Sequence, residues 1–139
     1  MVFTERYLPC SRANAWKALT DYSWFELEGK SGPFTKGSTF SSRHLPILGS
    51  RYIGQYDSEI ISAAADNSYT SIITVHSRSR SPLYVHNSAK IIERDGGSLL
   101  QLGFAGYDMS TREDRLLMRI MCGIRNSGLD RIAAHFTVD

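Results

Sequence analysis

The sequence predicts an α+β fold, with one antiparallel sheet of about six strands covered by a single long C-terminal helix. Three observations carry this reading. Between Thr39 and Tyr107 apolar residues recur at every second position, in runs separated by turn residues. Asp95-Gly96-Gly97 joins two of these runs and is a strong hairpin signal. After Thr111 the period changes, and Leu116, Leu117, Ile120, Met121 and Ile124 recur at three and four. An antiparallel sheet needs one face covered, and the last helix has a broad apolar face and nothing else to cover. The chain of 139 residues is read as one domain, 1–139.

The elements follow in order. Val2 to Leu8 reads as a strand, ended by Pro9, which lacks the ladder donor. Ser11 is a good N-cap for a helix from Arg12 to Thr20, with Ala15, Trp16 and Leu19 at helical spacing. A second helical turn is expected near Ser23 to Leu27, before Gly29, Gly32, Pro33 and Gly37 break the next stretch into loop. Strands are expected at Thr39–Leu45, Arg51–Ile61, Tyr69–Arg78, Leu83–Glu93 and Ser98–Tyr107. Thr111 is a plausible N-cap for the last helix, with Glu113 and Asp114 in its first turn, where negative charge suits the helix dipole. That helix runs to about Asn126. Gly128 either ends or kinks it, and Leu129 to Phe136 can prolong it.

Composition excludes several classes. With 42% hydrophobic and 22% charged residues the chain matches an ordinary globular domain, which argues against disorder and coiled coil. A net charge of +2 is too small to argue for nucleic acid. No apolar run approaches the length of a membrane span. Glu5 and Arg6 stand where a signal peptide needs its apolar core, so the expected compartment is the cytoplasm. Cys10 and Cys122 are then two reduced thiols, with Cys122 expected in the helix core.

Strand parity gives the inner face. Pairing Arg94 with Gly97 across the Asp95-Gly96 turn puts Ile91 opposite Leu100 and Ala89 opposite Leu102. Leu83, Val85, Asn87, Ala89 and Ile91 then share a face with Leu100, Leu102 and Phe104. On the same grounds Tyr69, Ser71, Ile73, Val75 and Ser77 point inward, as do Tyr52, Gly54, Tyr56, Ser58 and Ile60. Gln55, Asp57 and Glu59 are left to solvent. This inner face mixes hydrogen-bonding side chains (Tyr56, Ser58, Ser71, Ser77, Asn87) and small ones (Gly54, Ala89, Gly106) among the apolar residues. A sheet supporting a dry core would favour larger aliphatics, whereas a ligand pocket needs this mixture. Any one of these polar residues is ordinarily a strand-end residue or bonded to ordered water. Taken as a set they indicate a cavity. Leu117, Met121 and Ile124 are its expected lining from the helix, and a flexible thioether at Met121 suits an adaptable wall.

The layout carries a resemblance. Pro9 after the first strand, Ala15-Trp16 within the helix, Leu19-Thr20-Asp21 at its end, and the glycine-flanked GPFTKGSTF before the second strand resemble the START/Bet v-type (SRPBCC) superfamily, which includes polyketide cyclases and dehydrases. The resemblance spans nearly the whole chain and identifies a fold rather than an activity. It implies a helix-grip fold, in which a curved antiparallel sheet wraps the C-terminal helix around a cavity. It also implies a ligand such as a lipid, hormone or polyketide.

There is no Gly-x-Ser-x-Gly, no His-Glu-x-x-His and no phosphate-cradling glycine loop. His76 and His86 are expected opposite each other on the outer face, with no carboxylate nearby, so no metal is expected. No inward carboxylate or histidine stands out as a base, which weighs against an enzyme. A cyclase would orient a poly-ketone with Tyr56, Asn87 and one arginine. Twelve of the sixteen basic residues are arginine. Arg112, Arg115 and Arg119 recur on the last helix, and Arg78 and Arg80 flank a Ser-rich hairpin. A solvated face is the simpler reading, and an anionic head group or acidic partner is the functional one. Trp16 reads as a core anchor, and Trp24 and Phe25 as candidates to gate the cavity.

The resulting expectation is a protein that binds a small hydrophobic or amphipathic ligand through Tyr56, Ser58, Ser71, Ile73, Val75, Val85, Asn87, Ala89, Leu102, Phe104, Leu117, Met121 and Ile124. No cofactor, metal, catalytic residue, nucleic acid or membrane span is expected, and a homodimer is compatible with the sequence. The alternatives are a cyclase or dehydrase acting in the same cavity, and a module that docks a protein through its sheet or its Arg-rich helix face.

Overall fold

A computed structural model of the chain describes residues 2–79 and 81–137. In chain order it has β1 (Val2–Leu8), α1 (Arg12–Leu19), a 3₁₀ turn (Tyr22–Phe25), β2 (Thr39–Arg43), β3 (Tyr52–Ala64), β4 (Ser68–Ser77), β5 (Leu83–Arg94), β6 (Gly97–Ala105) and α2 (Arg112–Thr137). The strands form one six-stranded sheet, β1-β6-β5-β4-β3-β2, with every neighbouring pair antiparallel. The first strand therefore pairs with the last, and β2 forms the far edge. This is the α+β architecture the periodicities predict.

Register follows from the turn chemistry. Asp95 (φ 50°) and Gly96 (φ 77°) both take the left-handed region, as a two-residue type I′ hairpin requires. Arg94 pairs with Gly97, Ile91 with Leu100 and Ala89 with Leu102, so the parity reading of the inner face holds for β5 and β6. The boundaries differ where backbone geometry intervenes. A register shift between Ile60 and Ser62 carries β3 on to Ala64, three residues beyond where the apolar alternation stops. Gly106 (φ 120°) takes the chain out of β6 after Ala105, so Tyr107 is not a strand residue. β2 ends at Arg43, so His44 and Leu45 lie beyond it.

The caps are those the sequence indicates. The Ser11 hydroxyl accepts from the Asn14 N–H at 3.1 Å at the start of α1. The Thr111 hydroxyl accepts from the Asp114 N–H at 3.3 Å at the start of α2. Gly128 neither ends nor kinks α2, which runs unbroken to Thr137. Its role is contact. A Cβ there would stand 2.3 Å from Phe25 Cδ1, so the absent side chain lets the helix close on the 3₁₀ turn.

Helix α2 is anchored near both ends. Near its start Leu117 packs with Tyr52, Tyr56, Ile73, Val75, Val85 and Phe104. Near its finish Leu129 and Ile132 pack with Leu8, Leu19, Phe25, Ala89, Ile91 and Leu100. All three helix residues are almost wholly buried. The stretch between them is not: Met121, Cys122, Ile124 and Arg125 are each only half-buried. Two dry contacts thus hold the helix, and the turns between them leave space above the sheet.

Candidate functional site

That space is a cavity of about 120 Å³. Its floor is the concave face of the sheet, through Tyr56, Ser58, Tyr69, Ile73, Asn87, Leu102 and Phe104. Its roof is Met121, Cys122, Ile124 and Arg125 of α2, and one side is closed by Leu19, Tyr22, Phe25 and Leu27. Eight of the sequence-predicted residues meet here: Tyr56, Ser58, Ile73, Asn87, Leu102, Phe104, Met121 and Ile124. Five do not line it. Val75, Val85 and Leu117 pack in the contact near the start of the helix, and Ala89 in the contact near its finish. Ser71 is buried between Ile60 and Asn87 on the neighbouring strands. Parity finds the face but does not find where along that face the helix touches down.

Among the described residues six aromatics line the cavity: Tyr22, Phe25, Tyr56, Tyr69, Phe104 and Tyr107. Phe104 and Tyr107 meet edge to face at 5.5 Å between centroids, and Tyr22 and Phe25 at 6.1 Å. Burial pushes the Tyr56, Tyr69 and Tyr107 hydroxyls well above the usual tyrosine range, and pushes Tyr22 up as well. For Tyr52 burial acts first and the bond to Asp114 second, in the same direction. These hydroxyls are therefore neutral donors. A tyrosine whose folded pKa is raised adds stability that is fully present below its unfolded value of about 10 and is lost as pH climbs toward the folded value. Stability is expected to be level from neutrality to about pH 10 and to fall beyond it. Tyrosinate absorbance and denaturant titrations should then shift together. Ionisation of all seven tyrosines near pH 10 in a protein still folded would contradict this.

Two polar groups that the sequence did not disclose bond tyrosines of the sheet. The first is His44, just past β2. Its Nδ1 lies 2.6 Å from the Leu45 carbonyl oxygen, which only accepts, so in the neutral ring the proton sits on Nδ1. Nε2 is then the acceptor, and the Tyr56 hydroxyl donates to it in a short hydrogen bond. The second is Asp114, 1% exposed, which accepts from the Tyr52 hydroxyl and from the Asp108 N–H at 2.7 Å. Beside it, the Arg51 guanidinium bonds Glu113 at 2.6 Å. Neither lines the cavity, but His44 bonds Tyr56, which does, and Asp114 is a buried carboxylate at the start of α2. Strand parity says nothing about His44, which lies beyond the strand, and Asp114 read as a first-turn charge.

The other histidines do not form the expected pair. His86 pairs with Ile72, and His76 instead bonds a carboxylate, Asp57, at 2.6 Å. Among the described residues no group of three or more His, Cys, Asp or Glu side chains is placed to hold a metal. Among the helix arginines, Arg115 bonds the Met109 carbonyl oxygen at 2.9 Å and Arg112 and Arg119 are exposed. The helix arginine lining the cavity is Arg125, one turn past Met121, and that four-residue spacing is the signal that would have found it. Arg80 lies outside the described residues. Cys10 is buried, whereas Cys122, expected in the core, is half-buried on the cavity roof; both are free thiols. Phe25 is a buried wall residue, and Trp24 packs against His135 and does not line the cavity. Among the described residues no helix is long and apolar enough to cross a membrane.

No family model and no curated protein matches the sequence. Solved structures do match the fold. CV1439 from Chromobacterium violaceum is similar with a TM-score of 0.72 at 11% identity, over 99% of this chain and 98% of that one. Ara h 8.0201 is similar with a TM-score of 0.66 at 15% identity, over 96% and 97%. The Aha1 dimer from Colwellia psychrerythraea is similar with a TM-score of 0.64 at 13% identity, over 96% and 97%. Identities this low establish shape and not activity. Whole-length similarity, a six-stranded antiparallel sheet and a long C-terminal helix seated on it together show that the chain has a helix-grip fold, the shape that its resemblance to START/Bet v-type proteins implies.

Proposed function

We propose that the protein binds a small amphipathic molecule in the cavity between the sheet and α2. The observation that supports this is the wall itself. Six aromatic side chains line the space, and Tyr56, Ser58 and Asn87 bring hydrogen-bonding residues to its floor. Pockets that take small molecules combine such an apolar enclosure with a few placed polar groups. Removing apolar ligand surface from water contributes about 25 cal/mol per Å², and the polar groups set orientation.

A second reading is favoured by one contact. A Tyr56 side chain on the cavity floor, hydrogen-bonded to the His44 imidazole behind it, is a proton-transfer pair of the kind a cyclase or dehydrase acting on a polyketide-like substrate would use. Native mass spectrometry of the purified protein, followed by solvent extraction, identifies what is bound. With that molecule as probe, Tyr56→Phe and Asn87→Ala should each weaken binding about 3- to 10-fold in a binding protein, the loss of one hydrogen bond. In an enzyme the same changes lower turnover about 10²- to 10⁴-fold with binding largely kept. A protein that carries nothing, and that no aromatic or aliphatic acid, alcohol or ketone stabilises, would overturn both readings.

A further inference from the structure

Arg125 is the side chain in the cavity that nothing so far explains. It reaches in from α2, with its guanidinium 5.5 Å from the centroid of the Phe104 ring. Its Nε is buried and, among the described residues, has no hydrogen-bond partner. A terminal nitrogen makes a long contact, 3.9 Å, to the Cys122 sulfur, which is a weak acceptor. Arg51 and Arg131 also have a buried nitrogen without a hydrogen bond, but each stands beside a carboxylate: Glu113 for Arg51, Glu26 for Arg131. Among the described residues no carboxylate lies within ion-pair distance of Arg125. The surrounding tyrosines do not fill that role, since burial keeps Tyr69 and Tyr107 protonated even with the Arg125 charge drawing them the other way. A guanidinium cannot shed its proton, and a buried donor left without a partner is costly.

We infer that Arg125 is an anion subsite, and that the cavity takes a small aromatic monocarboxylic acid whose carboxylate pairs with this guanidinium. This rests on the binding reading above and adds a ligand class to it. Charge complementarity gives the acid: the planar guanidinium fork matches a carboxylate in a bidentate pair. The walls give the aromatic body, because Phe25, Phe104, Tyr22, Tyr69 and Tyr107 offer ring faces and edges. The volume gives the size. At about 120 Å³ it lies below the roughly 300–1,000 Å³ of pockets that take drug-sized ligands, which favours a one-ring acid such as benzoate or cinnamate.

The test is calorimetric titration with cinnamate, its neutral isostere cinnamamide, and an apolar fluorescent dye. Cinnamate is expected to bind the unmodified protein at least about 10-fold more tightly than cinnamamide, the margin of one charge-assisted pair. Arg125→Gln should remove that margin and leave cinnamamide unchanged, and Arg125→Lys should restore part of it. Acid and amide binding equally well to the unmodified protein would overturn the anion subsite while leaving the cavity reading intact, and that comparison needs no variant to fold. If acid, amide and dye all fail to bind, the cavity reading falls as well.

Discussion

Replacing Asp114 with alanine is expected to destabilise the protein by about 3–5 kcal/mol, the range for removing one member of a buried charged network. The carboxylate is 1% exposed, and three groups converge on it. The Tyr52 hydroxyl donates to Oδ1, the Asp108 N–H donates to Oδ2 at 2.7 Å, and Arg51 lies 3.7 Å from Oδ1. Alanine leaves a buried hydroxyl and a backbone N–H without an acceptor, each a penalty of about 1–3 kcal/mol. Arg51 is less affected, because Glu113 still pairs with it. Asp114→Asn keeps one carbonyl oxygen but turns an amide donor toward another donor, so it should cost less than alanine and more than nothing. The consequence for the cavity follows from position. Asp114 and Arg51 tie the start of α2 to the start of β3, and Leu117 seals the contact one turn later. Loosening that end unseats the cavity roof. Urea unfolding of the unmodified protein, Asp114→Ala, Tyr52→Phe and the double variant should give a coupling energy of about 1–3 kcal/mol. A loss below 1 kcal/mol for Asp114→Ala, or additive single effects, would refute the network.

What the sequence discloses, and what it hides, divides along a physical line. Period-two alternation gives the inner face because the pleat leaves a side chain no third direction, so Tyr56, Ser58 and Asn87 were legible. The Asp95-Gly96 turn gave the β5–β6 register because turn geometry and pairing are coupled. Neither signal reports how close a helix comes to the sheet at each point along it. Val85 and Asn87 look alike by parity, yet one packs against the foot of α2 and the other lies under its raised middle. His44, Asp114 and Arg125 were missed for a related reason. Each acts from outside the strands, through loop or helix geometry that no alternation encodes. Gly128 leaves the end of the helix open in the sequence because a helical glycine often signals a stop, and only the Phe25 ring lying against it shows that the space is needed.

Gly54 carries the second large prediction, and it bears on the Tyr56–His44 pair. The residue has φ 74° and sits where the β3–β4 register shifts between Tyr52 and Tyr56. A Cβ there would come within 2.4 Å of the His44 carbonyl oxygen and 2.7 Å of the Leu45 carbonyl oxygen, both backbone atoms that cannot swing away. The Gly54 carbonyl in turn accepts from the His44 N–H at 2.9 Å, so the same close approach that excludes a side chain holds His44 against β3. Gly54→Ala is expected to cost about 1–2 kcal/mol for the left-handed backbone and about 1–3 kcal/mol more for the clash. Gly37→Ala is the control, because Gly37 has φ 87° and nothing within 4 Å of its would-be Cβ. It should show the backbone cost alone. The difference between the two, read by urea unfolding, isolates the contact between β3 and the His44 segment. Separation of that segment also withdraws the imidazole from Tyr56, so the His44 ring resonances in an NMR spectrum of Gly54→Ala should move while those of Gly37→Ala stay in place. Equal destabilisation by the two substitutions, with the His44 resonances unmoved in both, would mean that the close approach of the His44 segment at Gly54 does not hold His44 on Tyr56.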